Sequence, residues 1–124
     1  MPDPYLVLFV VDPAADEHAE AFGDLAATVS QLHRWEGPEP RAFDAVPSRS
    51  EERTVGIALR IPRRPVRDAP AIAALVESCA TVADGLGVAL EVQLEEVVLG
   101  ELRAGVVEES VVVALRERLG VELN

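Results

Sequence analysis

The order of apolar and polar positions predicts five strands and three helices. The segment Tyr5–Val11 is apolar at every position, which predicts a central strand covered on both faces. Two other segments alternate with the period of a strand: residues 54–61 and residues 88–95. A return strand over 97–102 would complete a hairpin with the second of these, although the turn at Glu95–Glu96 lacks the usual glycine or asparagine.

Helical spacing appears in three segments. Residues 14–34 carry an apolar stripe that comprises His18, Phe22, Leu25, Ala26, Val29, Leu32 and His33, with Asp12 as a candidate N-cap. Residues 69–86 carry a second stripe, with Asp68 as the candidate N-cap and Pro70 in the first turn. The last helix is predicted over 108–119, where two glutamates open it and Arg116 and Arg118 close it, in the order that complements the helix dipole.

The fold class depends on the proline-rich segment 36–53. If a short edge strand forms at 41–46, the first 95 residues read β-α-β-β-α-β, the ferredoxin-like split β-α-β arrangement of the α+β class, with a C-terminal hairpin strand and helix added. Without that strand, a β-α-β-α-β order would give a small three-layer α/β fold. With 124 residues, no linker and no internal repeat, the chain 1–124 is predicted to be one domain.

The predicted sheet has one face that its two main helices cannot cover. On that face the strands begin with the small residues Gly56, Ala58 and Ala89, while Tyr5–Val11 remains apolar on both sides. Close packing is therefore expected there. The cover is either the C-terminal helix or a second copy of the chain, and the sequence favours a homodimer through the open face.

Charge and cysteine content limit the classes of function. The chain has 22 acidic residues and 11 arginines, no lysine, and a net charge of −11. Such a surface repels nucleic acid and anionic membranes and attracts basic proteins. The single cysteine excludes an internal disulfide, and no signal peptide or membrane span is apparent, so a cytoplasmic location is expected.

The residues that most often perform chemistry do not form a recognisable site. His18 and His33 lie fifteen positions apart on one helix, about 22 Å, and so cannot bind one metal ion. Cys79 lies in the middle of an apolar stripe, which indicates a core residue. Neither a nucleophile motif nor a metal or cofactor motif is present, and the sequence therefore favours a non-catalytic protein without cofactor or metal.

Four arginines stand out against the acidic background. Arg60, Arg63, Arg64 and Arg67 lie within eight residues, on a loop that leads into the N-terminus of the second main helix. Free amide groups and guanidinium groups there would bind an anion. The alternative interpretation is that these arginines neutralise nearby acids, and that Asp68 already places a carboxylate at the helix end.

Two functions follow from these observations. The first is a small acidic interaction domain, non-catalytic and dimeric, that binds a basic protein partner in the manner of inhibitors that neutralise nucleases or toxins. The second is a domain that binds an anion or a phosphorylated small molecule, or acts on it as an enzyme, through the loop Arg60–Arg67.

Overall fold

The backbone forms six strands and three helices within the part of the chain that the computed structural model describes, residues 3–11, 13–45, 53–62 and 67–123. The protein is therefore α+β. In chain order the elements are β1 (Tyr5–Val10), α1 (Asp16–Leu32), β2 (Arg41–Ala45), β3 (Thr54–Arg60), α2 (Ala69–Leu86), β4 (Leu90–Leu94), β5 (Val97–Arg103), β6 (Val106–Val107) and α3 (Glu109–Leu119).

The strands form one open sheet in the order β2-β3-β1-β4-β5-β6, and every neighbouring pair is antiparallel. The edge strand expected over 41–46 is present at Arg41–Ala45, where it pairs with β3. The alternative of a parallel three-layer α/β fold is wrong, because β1 lies between β3 and β4 and runs antiparallel to both.

All three helices cover the same face of the sheet. The core on that face contains Leu6 and Leu8 of β1 together with the stripes of α1 and α2. A side chain at Gly100 of β5 would collide with Ser110 and Val111 of α3, and Gly100 pairs with core-facing Val92. The helix α3 therefore extends the helical layer over β5, and no helix of the described residues lies on the opposite face of the sheet.

The strand β1 is central, as expected, but the described residues bury only one of its faces fully. Leu6, Leu8 and Val10 are fully or almost fully buried, whereas Tyr5 on the other face is 51% exposed. The expectation that both faces would be covered is not met within one chain, because α3 packs beside α2 instead of crossing the sheet.

The helix α1 is shorter at both ends than the predicted range 14–34. Its N-cap is Ala15, while the candidate cap Asp12 lies outside the described residues. Leu32, placed on the core stripe from its spacing, is 74% exposed because the helix ends there, and His33 is the extended C-cap. The backbone carbonyl of Val29 accepts a hydrogen bond from Trp35 Nε1 (3.2 Å), which closes this end of the helix.

Two tight turns join the last three strands. Glu95 and Glu96 have φ values of 53° and 68°, and Ala104 and Gly105 have φ values of 54° and 76°. Two successive positive φ values match the type I′ turn that suits the twist of a hairpin. The hairpin expected at Glu95–Glu96 is thus present, and the second turn forms the two-residue strand β6, which the sequence did not indicate.

The helix α2 is the most apolar of the three helices described. Eight of its side chains are buried, including Leu75, Val76 and Cys79. It is long and apolar enough to cross a membrane by length and composition alone, a test that core helices of folded proteins also pass. Here its buried side chains belong to the single core that it shares with the sheet.

Candidate binding surfaces

Two of the four clustered arginines lie in the described part of the chain. Arg60 ends β3, and its Nη1 donates to Asp3 Oδ2 at 3.0 Å in a half-exposed ion pair. Arg67 is exposed just before α2. Arg63 and Arg64 lie outside the described residues. Anion binding by Arg60, Arg63, Arg64 and Arg67 therefore remains a prediction.

The residue at the N-terminus of α2, Asp68, has a carboxylate whose hydrogen bonds go to the α1–β2 connection and not to α2. Asp68 is 9% exposed and is the N-cap residue, but its side chain makes no capping hydrogen bond. Its two oxygens instead accept the backbone N–H groups of Glu36 and Gly37, both at 2.8 Å. This negative charge stands beside the helix end where an anion would have to bind, and it ties the α1–β2 connection to α2.

The buried histidine has a structural role. The backbone N–H of Ala15 donates to His18 Nδ1 at 3.1 Å, so the imidazole caps the first turn of α1. Its Nε2 lies 3.9 Å from Glu17 Oε1. His18 is thus a buried residue with a hydrogen-bond partner. His33 ends the same helix.

The only cysteine of the sequence is inaccessible. Cys79 is fully buried, and burial raises the pKa of its thiol to about 12. The thiolate form that attacks electrophiles is therefore scarce at neutral pH. The interpretation of Cys79 as a core residue is confirmed.

Arg53 forms ion pairs with one carboxylate of α1 and one of β2. Arg53 donates to both oxygens of Asp44 (2.7 Å each) and to Asp16 Oδ1 (2.8 Å), which fastens the β2–β3 hairpin to the start of α1. The guanidinium group of Arg53 lowers the pKa of Asp44. Within the described ranges, no group of three or more His, Cys, Asp or Glu side chains could hold a metal ion.

The uncovered face of the sheet is the largest surface that the fold leaves without a helix. Paired residues of neighbouring strands point to the same side, so the strand register assigns its members. We call this surface the open face, and its residues are Tyr5, Val7 and Phe9 of β1, Arg41, Phe43 and Ala45 of β2, Thr54, Gly56, Ala58 and Arg60 of β3, Glu91 and Gln93 of β4, Val98, Glu101 and Arg103 of β5, and Val106 of β6.

The centre of the open face is apolar and includes two residues with little or no side chain, Gly56 and Ala58. Val7 pairs with Ala58 on one side, and Phe9 pairs with Gly56, which in turn pairs with Phe43. A Cβ atom at Gly56 would lie 2.6 Å from the Cα of Phe9, so the β1 backbone itself requires glycine there. The small size of Gly56, which had indicated close packing by another element, is thus explained by contacts within the chain. Ala58 still leaves room above β3.

Charges on the open face are separated by β1. Arg41 and Arg60 lie on the β2–β3 side, and Arg60 is already paired with Asp3. Glu91 and Glu101 lie on the β4–β5 side, where Glu91 accepts a hydrogen bond from Gln93 (2.6 Å) and Glu101 pairs with Arg103. Among the residues that the structure describes, Arg41 and Glu91 have no ion-pair partner on their own chain.

Comparisons with protein-family models, with curated proteins and with solved structures found no match to this chain.

The open face was predictable from the sequence, but its full composition was not. The alternation in β3 and β4 was sufficient to assign the residues of these two strands, whereas β1 is apolar at every position and shows no preferred face. Arg41, Phe43 and Val98 were missed as members, because their face depends on the pairing of β2 and on the irregular register between β4 and β5 at Val92–Gln93. No periodic signal in a strand of five residues reveals its register.

Proposed function

We propose that this protein is a non-catalytic interaction domain that binds a protein partner through the open face of its sheet. The observation that carries the proposal is the exposure of apolar side chains there: Tyr5 is 51% exposed and Val98 is 57% exposed. Val7, Phe9 and Phe43 on the same face are half-buried. An accessible apolar surface rimmed by charges is typical of a protein-binding surface.

The residues with catalytic potential support a non-catalytic role, since they are used for structure. His18 caps a helix, and Cys79 is buried in the core with a raised thiol pKa. The pairing of Arg60 with Asp3 and the carboxylate of Asp68 beside α2 favour protein binding over anion binding.

We also infer a ferredoxin-like arrangement for the first four strands and two helices. Its support is the chain order β-α-β-β-α-β, the sheet order β2-β3-β1-β4, and the placement of α1 and α2 on one face. This fold accommodates many functions, so it adds no preference among partners.

A basic protein is a second candidate partner. The outer side of α1 carries four exposed acids, Asp16, Glu17, Glu20 and Asp24, and only Asp16 of these has an arginine partner among the described residues. With a net charge of −11, this surface would attract a basic protein from a distance.

Site-specific photo-crosslinking tests the proposed function. A benzophenone amino acid replaces Tyr5 on the open face, and in a control protein it replaces Leu32, which is 74% exposed on α1. We expect illumination in cells to attach the Tyr5 variant to a defined protein, identified by mass spectrometry, and the Leu32 variant to none. If the Tyr5 variant forms no more protein adducts than the control, the proposal is wrong.

A further inference from the structure

We infer that the occupant of the open face is a second copy of this chain, related by a twofold axis that lies between the two sheets and runs parallel to β1. The inference rests on the proposed function and names its partner. In this dimer, Arg41 of each copy lies over the half of the other copy that carries Glu91.

The apolar part of the open face is suited to packing on itself. Val7 and Phe9 belong to β1, which has two strands on one side and three on the other. An axis parallel to β1 and above it would bring the two β1 strands together, with Phe43 and Val98 extending the contact toward each edge. Sheets pack face to face at about 10 Å with interdigitating side chains, and Ala58 beside Val7 leaves space for them.

The charge pattern selects the second copy. Arg41 lies two strands from β1 on one side, and Glu91 lies on the neighbouring strand on the other side. Within the described residues neither has an ion-pair partner on its own chain, whereas Arg53, Arg60 and Arg103 are each paired within the chain. The open face thus offers one unpaired positive charge and one unpaired negative charge, on opposite sides of its apolar centre.

The orientation of the axis follows from the same charges. A twofold axis parallel to the strands places the β2–β3 side of one copy over the β4–β5 side of the other, so each Arg41 lies over the half of its partner that carries Glu91. A twofold axis perpendicular to the strands would place β2 over β2 and would bring the Arg41 residues toward each other. Like charges at an interface cost several kcal/mol, so the first arrangement is selected.

Charge reversal with mixing tests this arrangement. In a dimer of Arg41→Glu, each introduced carboxylate would lie over the half of the partner that carries Glu91. In a dimer of Glu91→Arg, each introduced guanidinium group would lie over the half that carries Arg41. We expect each single variant to raise the dimer Kd at least about tenfold over that of wild type. An equimolar mixture should form a heterodimer with a Kd close to that of wild type, because both of its contacts join opposite charges.

Two controls carry the same changes in net charge on the helical side. Arg116→Glu and Glu20→Arg alter exposed residues of α3 and α1, and both should dimerise like wild type. Native mass spectrometry separates heterodimer from homodimers by mass, and thermal unfolding verifies that each variant is folded.

The outcomes separate this inference from the proposed function. Dimers that weaken in both single variants and re-form on mixing support the arrangement. Single variants that dimerise like wild type, or that fail to re-form a dimer on mixing, overturn it. A monomeric wild type whose Tyr5 variant cross-links to a different protein overturns the second copy as occupant and leaves the proposed function standing.

Discussion

Asp68 shows how one side chain can join two distant parts of the chain. Its carboxylate accepts two backbone N–H groups from residues 36 and 37, more than thirty positions earlier. Charged acceptors make stronger hydrogen bonds than neutral ones, and a buried N–H group without a partner is costly. The α1–β2 connection therefore depends on a residue at the start of α2.

Replacing this carboxylate should destabilise the fold. We expect Asp68→Ala to lower the free energy of unfolding by about 2–3 kcal/mol, because Glu36 and Gly37 lose their acceptor. Asp24→Ala, at an exposed position of α1, is the control and should change it by less than about 0.5 kcal/mol. Urea unfolding measures both free energies, and equal small effects would show that the hydrogen bonds accepted by Asp68 contribute nothing to stability.

For single residues, the sequence predicted positions in the fold better than it predicted hydrogen-bond partners. Asp68 was predicted at the helix start, and it is there, but its expected capping bond is replaced by contacts with the loop at 36–37. Cys79 was assigned to the core from its place in an apolar stripe, and its burial confirms this prediction. Local spacing in the sequence does not indicate which distant residues will be in contact, so the hydrogen bonds between Asp68 and residues 36–37 could not be predicted.

Among the elements, the β2–β3 hairpin depends on Arg53. This side chain holds Asp44 of β2 and Asp16 of α1 at once, and it lowers the pKa of Asp44. A carboxylate whose pKa is lower in the folded state stabilises the fold above its unfolded pKa of about 3.9. That contribution is lost as the pH falls through the folded pKa.

The variant Asp44→Asn should therefore show a pH-dependent loss of stability. At pH 7 we expect it to unfold at lower urea concentration than wild type, because the Arg53 pair is removed. As the pH falls below about 3.9 the difference should shrink, since Asp44 itself becomes protonated and resembles asparagine. A difference of the same size at pH 7 and at low pH would contradict an electrostatic origin.

The Glu95–Glu96 turn uses residues that disfavour its backbone conformation. Both have φ in the left-handed region, which costs L-residues about 1–2 kcal/mol each and is favoured by asparagine and glycine. We expect Glu95→Asn with Glu96→Gly to raise the free energy of unfolding by about 1 kcal/mol. Glu95→Gln with Glu96→Gln removes the same charges and serves as the control; an equal gain there would assign the effect to charge repulsion.

Sequence patterns predicted the long helices and strands and missed the shortest strand. The helices and β1, β3, β4 and β5 lie within a few residues of their predicted ranges, and the short strand β2 is present as well. The two-residue strand β6 was missed, because Val106–Val107 is too short to show a period and depends on the turn at Ala104–Gly105.

For the whole molecule, the question left by the sequence was which layer covers the second face of the sheet. The helix α3 could have crossed it, and its apolar spacing fits either side. The short turns after β4 and β5 decide the matter, because they keep α3 beside α2 over the core face, where Val111 and Leu115 are buried. The open face is thus a consequence of chain connectivity, which periodicity does not report.

Salt should distinguish the two candidate partners. Two chains of net charge −11 repel one another, so screening favours the homodimer. We expect the dimer Kd to fall as ionic strength rises from about 0.01 M to about 0.15 M, where the Debye length shortens from about 30 Å to about 8 Å. Binding of a basic protein should weaken over the same range, and a dimer that also weakens would contradict the predicted dominance of net repulsion.

The most direct test is the mass of the protein in solution, measured by sedimentation equilibrium over a range of concentrations. Wild type should approach twice the mass of one chain, and Val7→Glu, which places a charge at the centre of the open face, should remain at the mass of one chain while still folded. A wild type that stays monomeric, or a dimer that persists in Val7→Glu, would contradict the assignment of the open face to a second copy.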